Sequence, residues 1–184
     1  MKKHHHIRRL LPVALLMILL LVCGSVFAYM FQRTEPASTQ FTPAVVACEV
    51  HDALNGDKDI ESITVENTGN IDAYLRVRLV TYWVDGEGNV APKPSPTLTV
   101  NETGNWVKSE TSNTFYYKEP VAPEDSNDDT SNLLTTPITL KTEDGYKQVV
   151  DIFGEAIQAQ PTAAVTDSWK VTLEADGKTI NAAP

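Results

Sequence analysis

The sequence predicts an all-β protein: an antiparallel β-sandwich preceded by an N-terminal hydrophobic signal helix. Three observations predict it. Beyond the apolar N-terminal segment, no stretch carries hydrophobic residues at helical spacing. Turn signals such as Asn55-Gly56, Asp85-Gly86 and Asp144-Gly145 recur at strand-length intervals. The best-defined stretch, ITVENTGNIDAYLRVRLVTYWVDGEGN at residues 63–89, alternates. In it Ala73, Leu75, Val77 and Leu79 share one face, while Arg76 and Arg78 lie on the other. Such a strand is one wall of a sheet with one packed and one wet face.

Charge and cysteine usage bound the function. The 184 residues include 15 basic and 24 acidic side chains, a net charge of −9. Four of the bases (Lys2, Lys3, Arg8 and Arg9) precede the hydrophobic segment, and the acids begin only at Glu35. From Tyr29 onward 11 bases therefore face 24 acids, a net −13. A surface of that sign repels nucleic acid and anionic lipid, so no nucleic-acid partner is expected. Past the leader, the chain is long enough for one domain with its own core. Cys23 belongs to the leader and only Cys48 remains downstream, which excludes an intramolecular disulfide in a processed chain. Within AVVACEV, Cys48 reads as a small buried hydrophobe; a bridge to a second chain is the alternative.

The elements are taken up along the chain from its start. MKKHHHIRR is a basic lead into an apolar run from Leu10 to Phe27, the pattern of a secretory signal. Small residues at Ser25 and Ala28 favour cleavage near Ala28, making residues 1–28 a signal peptide. The alternative is a retained signal anchor, because the run continues to Phe31 and is long enough to span a bilayer. Val22 is too bulky for lipoprotein processing at Cys23. Residues 29–44 read as a flexible N-terminal arm around the polar QRTEPASTQ, and residues 45–184 as the sandwich. The first apolar stretch, residues 41–50, opens with Phe41, Thr42, Pro43, Ala44, Val45 and Val46; its core from Ala44 to Ala47 is uncharged, β-prone and adhesive when unpaired.

Residues 63–66 and 73–84 are expected to form a hairpin across Asn67-Thr68-Gly69-Asn70. The alternation of Pro92, Pro94 and Pro96 gives an extended loop, and residues 97–100 a short strand. Residues 106–108 and 115–118 form a second hairpin with aromatic residues facing across it. PVAPEDSNDDTSN at residues 120–132 is an acidic loop. Strand character returns over residues 133–140 and 146–153, the latter continued to 159 through a bulge at Gly154. Residues 163–167 give one helical turn, and Trp169, Val171 and Leu173 alternate as the last strand.

The pattern V-x-N-T-G-N-x-x-A-Y-x-R-V is carried by Val65, Asn67, Thr68, Gly69, Asn70, Ala73, Tyr74, Arg76 and Val77. It resembles the TasA/camelysin family of secreted proteins of Gram-positive bacteria. Gly24-Ser25-Val26-Phe27-Ala28-Tyr29 is similar to the end of leaders processed by a SipW-type signal peptidase, and Phe41-Thr42-Pro43 to the start of the family's mature fold. Trp106, Phe115-Tyr116-Tyr117-Lys118, Glu155-Ala156-Ile157-Gln158-Ala159 and Trp169 come next, in the family's order. Asp72 departs from the proline common in the motif, as does the acidic insertion around Asn127-Asp128-Asp129. The resemblance implies a jelly-roll-like sandwich, secretion to the cell surface or extracellular matrix, and a structural role in biofilm fibres. The implied partners are further copies or homologous matrix subunits, and the signal peptidase during export; the membrane is met only through an uncleaved leader. It further implies assembly by donation of an N-terminal strand, here the segment from Phe41 to Val46. The motif residues, with Trp106, Tyr116, Tyr117, Gln158 and Trp169, are then fold determinants.

Some relatives carry a metallopeptidase label, which these residues do not support. Zinc peptidases use paired histidines with a carboxylate and an activated water. Past the leader His51 is the lone histidine, and no H-E-x-x-H occurs. Cys48 and His51 lack further ligands at a recognisable spacing, and on a strand they face opposite ways. No G-x-S-x-G turn is present. No catalytic residue, cofactor site or metal site is therefore expected. Glu124, Asp125, Asp128 and Asp129 offer hard oxygens to calcium but lack the spacing of a calcium loop, so a solvated loop is the simpler reading. Arg76 and Arg78 are expected to pair with acids on neighbouring strands such as Glu66. Trp106, Tyr116 and Tyr117 serve as packing rather than as a carbohydrate platform. The alternative to a fibre protein is a monomeric, membrane-anchored surface binding module.

Overall fold

The computed structural model describes Met17, Leu20 and residues 43–56, 59–123 and 130–184. The expectations for the leader, for the arm before Pro43 (Phe41 and Thr42 included) and for the acidic residues 124–129 fall outside it. Pro43–Pro184 forms one compact unit, and its fold is an antiparallel all-β sandwich.

The long alternating strand is the axis of the larger sheet. This strand, β3 (Ala73–Val84), pairs over its full length with β8 (Tyr146–Gln158), from Ala73 opposite Gln158 to Val84 opposite Lys147. On its other side β3 takes β5 (Thr114–Tyr117), which pairs with β4 (Trp106–Lys108) as the expected aromatic hairpin. A short β7 (Thr142–Glu143) meets only the first two residues of β8, completing the order β4-β5-β3-β8-β7. The facing sheet is β1 (Glu49–Asn55), β2 (Asp59–Glu66) and β6 (Ile138–Thr139).

Between the sheets lies the main core. Ile60, Ile63 and Val65 of β2 meet Leu75, Val77 and Leu79 of β3, with Phe115, Trp106 and Leu133 filling the ends. On the strands, period-two alternation supplies the inward residues.

Several expectations are corrected. Residues 63–66 and 73–84 are strands, but they belong to different sheets. The Asn67–Asn70 segment is thus a corner between sheets and not a hairpin turn. The hairpin lies earlier, where β1 and β2 pair around Asn55. Gly154 makes no bulge, because β8 stays in register with β3 throughout. It is glycine for space: a Cβ there would stand 2.5 Å from Val50 Cγ2 of the facing sheet. Residues 97–100 form no strand, although Leu98 and Val100 are buried, and in the 133–140 stretch only β6 is regular.

The arginine face is not uniformly wet. A helix, α1 (Ala163–Trp169), runs two residues beyond the expected turn and ends in Trp169, which is therefore not a strand residue. Next comes a small ribbon of β9 (Thr172–Leu173) and β10 (Ile180–Ala182). This C-terminal segment buries a second core on the outer face of the larger sheet, built from Tyr74, Tyr116, Val165, Trp169, Val171 and Ile180.

Candidate functional site

Two features distinguish one side of the sandwich: the seat of the N-terminal segment and the edge of β8 that has no ladder partner among the described residues. The seat is built by the corner. Asn67 is 1 % exposed, and its amide donates to the carbonyls of Ile71 (2.9 Å) and Val121 (2.8 Å) while its Oδ1 accepts from Gly69 N (3.0 Å). That fixes the loop's shape from within. Asn70 then faces outward and grips the incoming chain. Val45 N donates to Asn70 Oδ1 (2.7 Å), Asn70 N donates to Val45 O (3.0 Å), and Asn70 Nδ2 donates to Pro43 O (3.0 Å). Gly69 allows the approach, since a Cβ on it would stand 2.4 Å from Val45 O.

Of the expected donor residues, Pro43, Ala44, Val45 and Val46 lie in the described part. They are not in a strand there, and Val45 and Val46 are exposed. Beside them Ala44, Ile71, Asp72, Gln158 and Gln160 surround an opening at the end of β8.

The edge is set by topology. Past Gln148, whose amide donates to Lys141 O (2.8 Å), β8 has no ladder partner on its outer side among the described residues. β1 likewise pairs with β2 alone. Side chains of Val50 and Cys48 close the seam between these two edges near Gly154. Toward the β1–β2 turn the seam opens into a cleft of 570 Å³, lined by Leu54 of β1, Ile60 of β2, Val150 and Ile152 of β8, and Leu140. Val150, Ile152 and Leu140 pack on the core while remaining partly exposed. A β8 edge without a ladder partner among the described residues, beside a partly exposed apolar strip, is the kind of surface to which another strand adds.

The remaining motif residues assemble structure. Arg76 donates to Glu155 Oε2 through Nε (3.1 Å) and Nη2 (2.5 Å). Its guanidinium lies 4.6 Å from the Trp169 ring centroid and 5.6 Å from that of Tyr116, so the ion pair fixes the arginine within the sheet and its cation–π contact with Trp169 docks α1 on it. The expected partner Glu66 instead meets His51, at 3.0 Å. Arg78 stacks on Phe153. Tyr74 OH donates to Lys178 O (2.6 Å); burial first, then the charge of Asp176, raises its pKa. Ala73 exchanges two hydrogen bonds with Val121 and stands opposite Gln158. Trp106 and Tyr117 meet edge to face at 5.1 Å; Trp106 and Tyr116 are buried, so no exposed aromatic platform forms. Thr68 sits half-buried within the corner.

The thiol of Cys48 aims toward β8, and burial followed by the nearby Glu155 charge raises its pKa. It stays protonated near neutrality, which suits packing rather than nucleophilic attack. Among the described residues no three His, Cys, Asp or Glu side chains converge as metal ligands.

Sequence reasoning missed the open edge of β8 and the hold of Asn70 on Pro43 and Val45. Alternation reports which face of a strand is packed and carries nothing about which edge is paired. No family model matches this chain, and no curated protein or solved structure matches it.

Proposed function

We propose that this chain is an exported structural protein of the cell surface or extracellular biofilm matrix, assembling into fibres by N-terminal strand exchange. The observation that carries this reading is the open side of the sandwich, where β8 beyond Gln148 lacks a neighbour among the described residues and Val150 and Ile152 are incompletely covered. The arm reaches the domain at Pro43 and ends in an uncharged, β-prone segment. An extended segment from a second copy adds main-chain hydrogen bonds along β8 and places alternate side chains over the cleft. Because donor and acceptor are different surfaces, the association is head-to-tail and grows without closing. The resemblance to secreted matrix proteins of Gram-positive bacteria, and a leader of the signal-peptide type, support export and the matrix setting.

Deleting residues 35–46 tests the reading. The expected product is a folded, monomeric domain whose β-type circular dichroism is retained and which forms no fibres by electron microscopy. Fibres of normal length from that deletion would overturn strand exchange.

A further inference from the structure

We infer that Asn70 is a positioning residue for this exchange: the Asn67–Asn70 corner holds the root of the arm and sets where the arm leaves the domain. The inference deepens the proposed assembly and rests on it. Three hydrogen bonds join Asn70 to Pro43 and Val45, and they use both the N–H and the C=O of Val45. With its N–H and one lone pair of its C=O committed to Asn70, Val45 is poorly placed to pair with a second subunit. The segment expected to donate is therefore divided: Pro43 to Val45 is the root, and the residues preceding Pro43 exchange.

The corner is built for this. Its inward half is pinned by buried Asn67, independently of the arm. Its outward half spends Asn70, an exposed side chain, entirely on the arm among the described residues. Gly69 supplies the clearance that brings the Val45 carbonyl to 2.4 Å from where a Cβ would lie. A structural turn requires neither the close approach nor the outward amide. An arm leaving from a fixed point has less conformational freedom to lose when it binds, and pre-organisation of that kind strengthens association.

The test compares the exported chain with Asn70→Ala and Asn70→Asp, first below the assembly concentration and then above it. In the unassembled chain, Asn70→Ala is expected to speed hydrogen exchange of the Val45 amide by about tenfold while leaving the domain's urea midpoint unchanged. Asn70→Asp keeps an acceptor for Val45 N–H but loses the donor to Pro43 O, so its exchange rate falls between the two. Above the assembly concentration, Asn70→Ala is expected to form fewer and shorter fibres, with Asn70→Asp partly restored. Unchanged protection of Val45 in Asn70→Ala would overturn the seat. Fast exchange with wild-type fibre number and length would overturn the positioning role. If the unmutated chain forms no fibres, the assembly reading itself fails, while the exchange comparison still decides whether the seat holds the arm.

Discussion

β3 and β8 run side by side for the whole of β3 and carry the same inward alternation of apolar residues, yet their burial differs. Leu75, Val77 and Leu79 of β3 are at most 3 % exposed. Their register partners on β8 are Ala156, Gly154 and Ile152, and Ile152 and Ala156 are only partly buried. The cause is position in the sheet. β3 has a strand on each edge, whereas β8 beyond Gln148 has only β3 among the described residues. Burial here follows neighbours as much as pattern, and the deficit on β8 is where a further strand has something to gain.

The largest expected effect separates this pair directly. Leu79 and Ile152 are register partners of nearly equal size. In the monomeric domain Leu79→Ala is expected to cost about 3 kcal/mol, in the range of large-to-small changes in packed cores. Ile152→Ala, whose side chain is already partly in water, is expected to cost roughly 1 kcal/mol. Urea denaturation of each variant measures the two. If a further strand adds as proposed, it covers Ile152, and truncating that residue should then weaken fibres more than its effect on the monomer suggests. Equal costs in the monomer would mean that the two edges are equivalently covered and would remove the distinction.

A second, smaller effect probes where the seam between β1 and β8 is closed. Gly154→Ala inserts a Cβ 2.5 Å from Val50 Cγ2 and 3.4 Å from Cys48 Sγ. Val50 is β-branched and stiff at χ1, so it relieves the clash only by moving β1 outward. The expected cost is about 1 kcal/mol, accompanied by faster alkylation of Cys48 as the seam widens. An ordinary exposed strand glycine gains from alanine, through lower unfolded-state entropy. A stabilised Gly154→Ala variant would show that β1 does not seal this level of the groove.

How far the amino-acid sequence discloses each feature depends on the kind of information that feature needs. The strands, and the inward face of β3, are legible in the alternation at Ala73, Leu75, Val77 and Leu79. The aromatic hairpin is legible in the residues around Trp106 and Phe115. Partnership across sheets is not local. Ile63–Glu66 and β3 lie on either side of a short polar segment, as in a hairpin, yet the buried Asn67 amide ties that segment to Val121 and turns the chain into the other sheet. Gly154 resembles a bulge until Val50, more than a hundred residues away in sequence, is placed against it. The seat is half legible. The N-T-G-N signature is conspicuous, but a turn motif does not disclose that its outward asparagine holds Pro43 and Val45. The open edge is the least legible, since it is defined by a neighbour that β8 lacks among the described residues.

The comparison extends to the outer face, where the smallest effect is expected. Tyr74 of β3 is fully buried there beneath the β9–β10 ribbon, while its register partner Ile157 of β8 is only partly buried. The turn of that ribbon is held by Asp176, whose carboxylate accepts from Lys178 N (2.8 Å), Thr179 N (2.9 Å) and Thr179 Oγ1 (2.6 Å). Those bonds, with the Thr179 hydroxyl foremost, lower its pKa from 3.8 to about 2. A carboxyl depressed in the folded state favours folding when ionised. Its contribution is thus complete above the unfolded value and is lost as pH falls from about 4 toward 2. Asp176→Asn retains one acceptor but no charge, and at neutral pH it should lower Tm by about 2 °C. That gap between wild type and variant should narrow below about pH 4 as the wild-type carboxyl protonates. Thermal melts of both proteins across this range measure it. A gap that stays constant down to the lowest pH would show that hydrogen bonds common to both side chains, and not the ionised carboxylate, keep the ribbon over Tyr74.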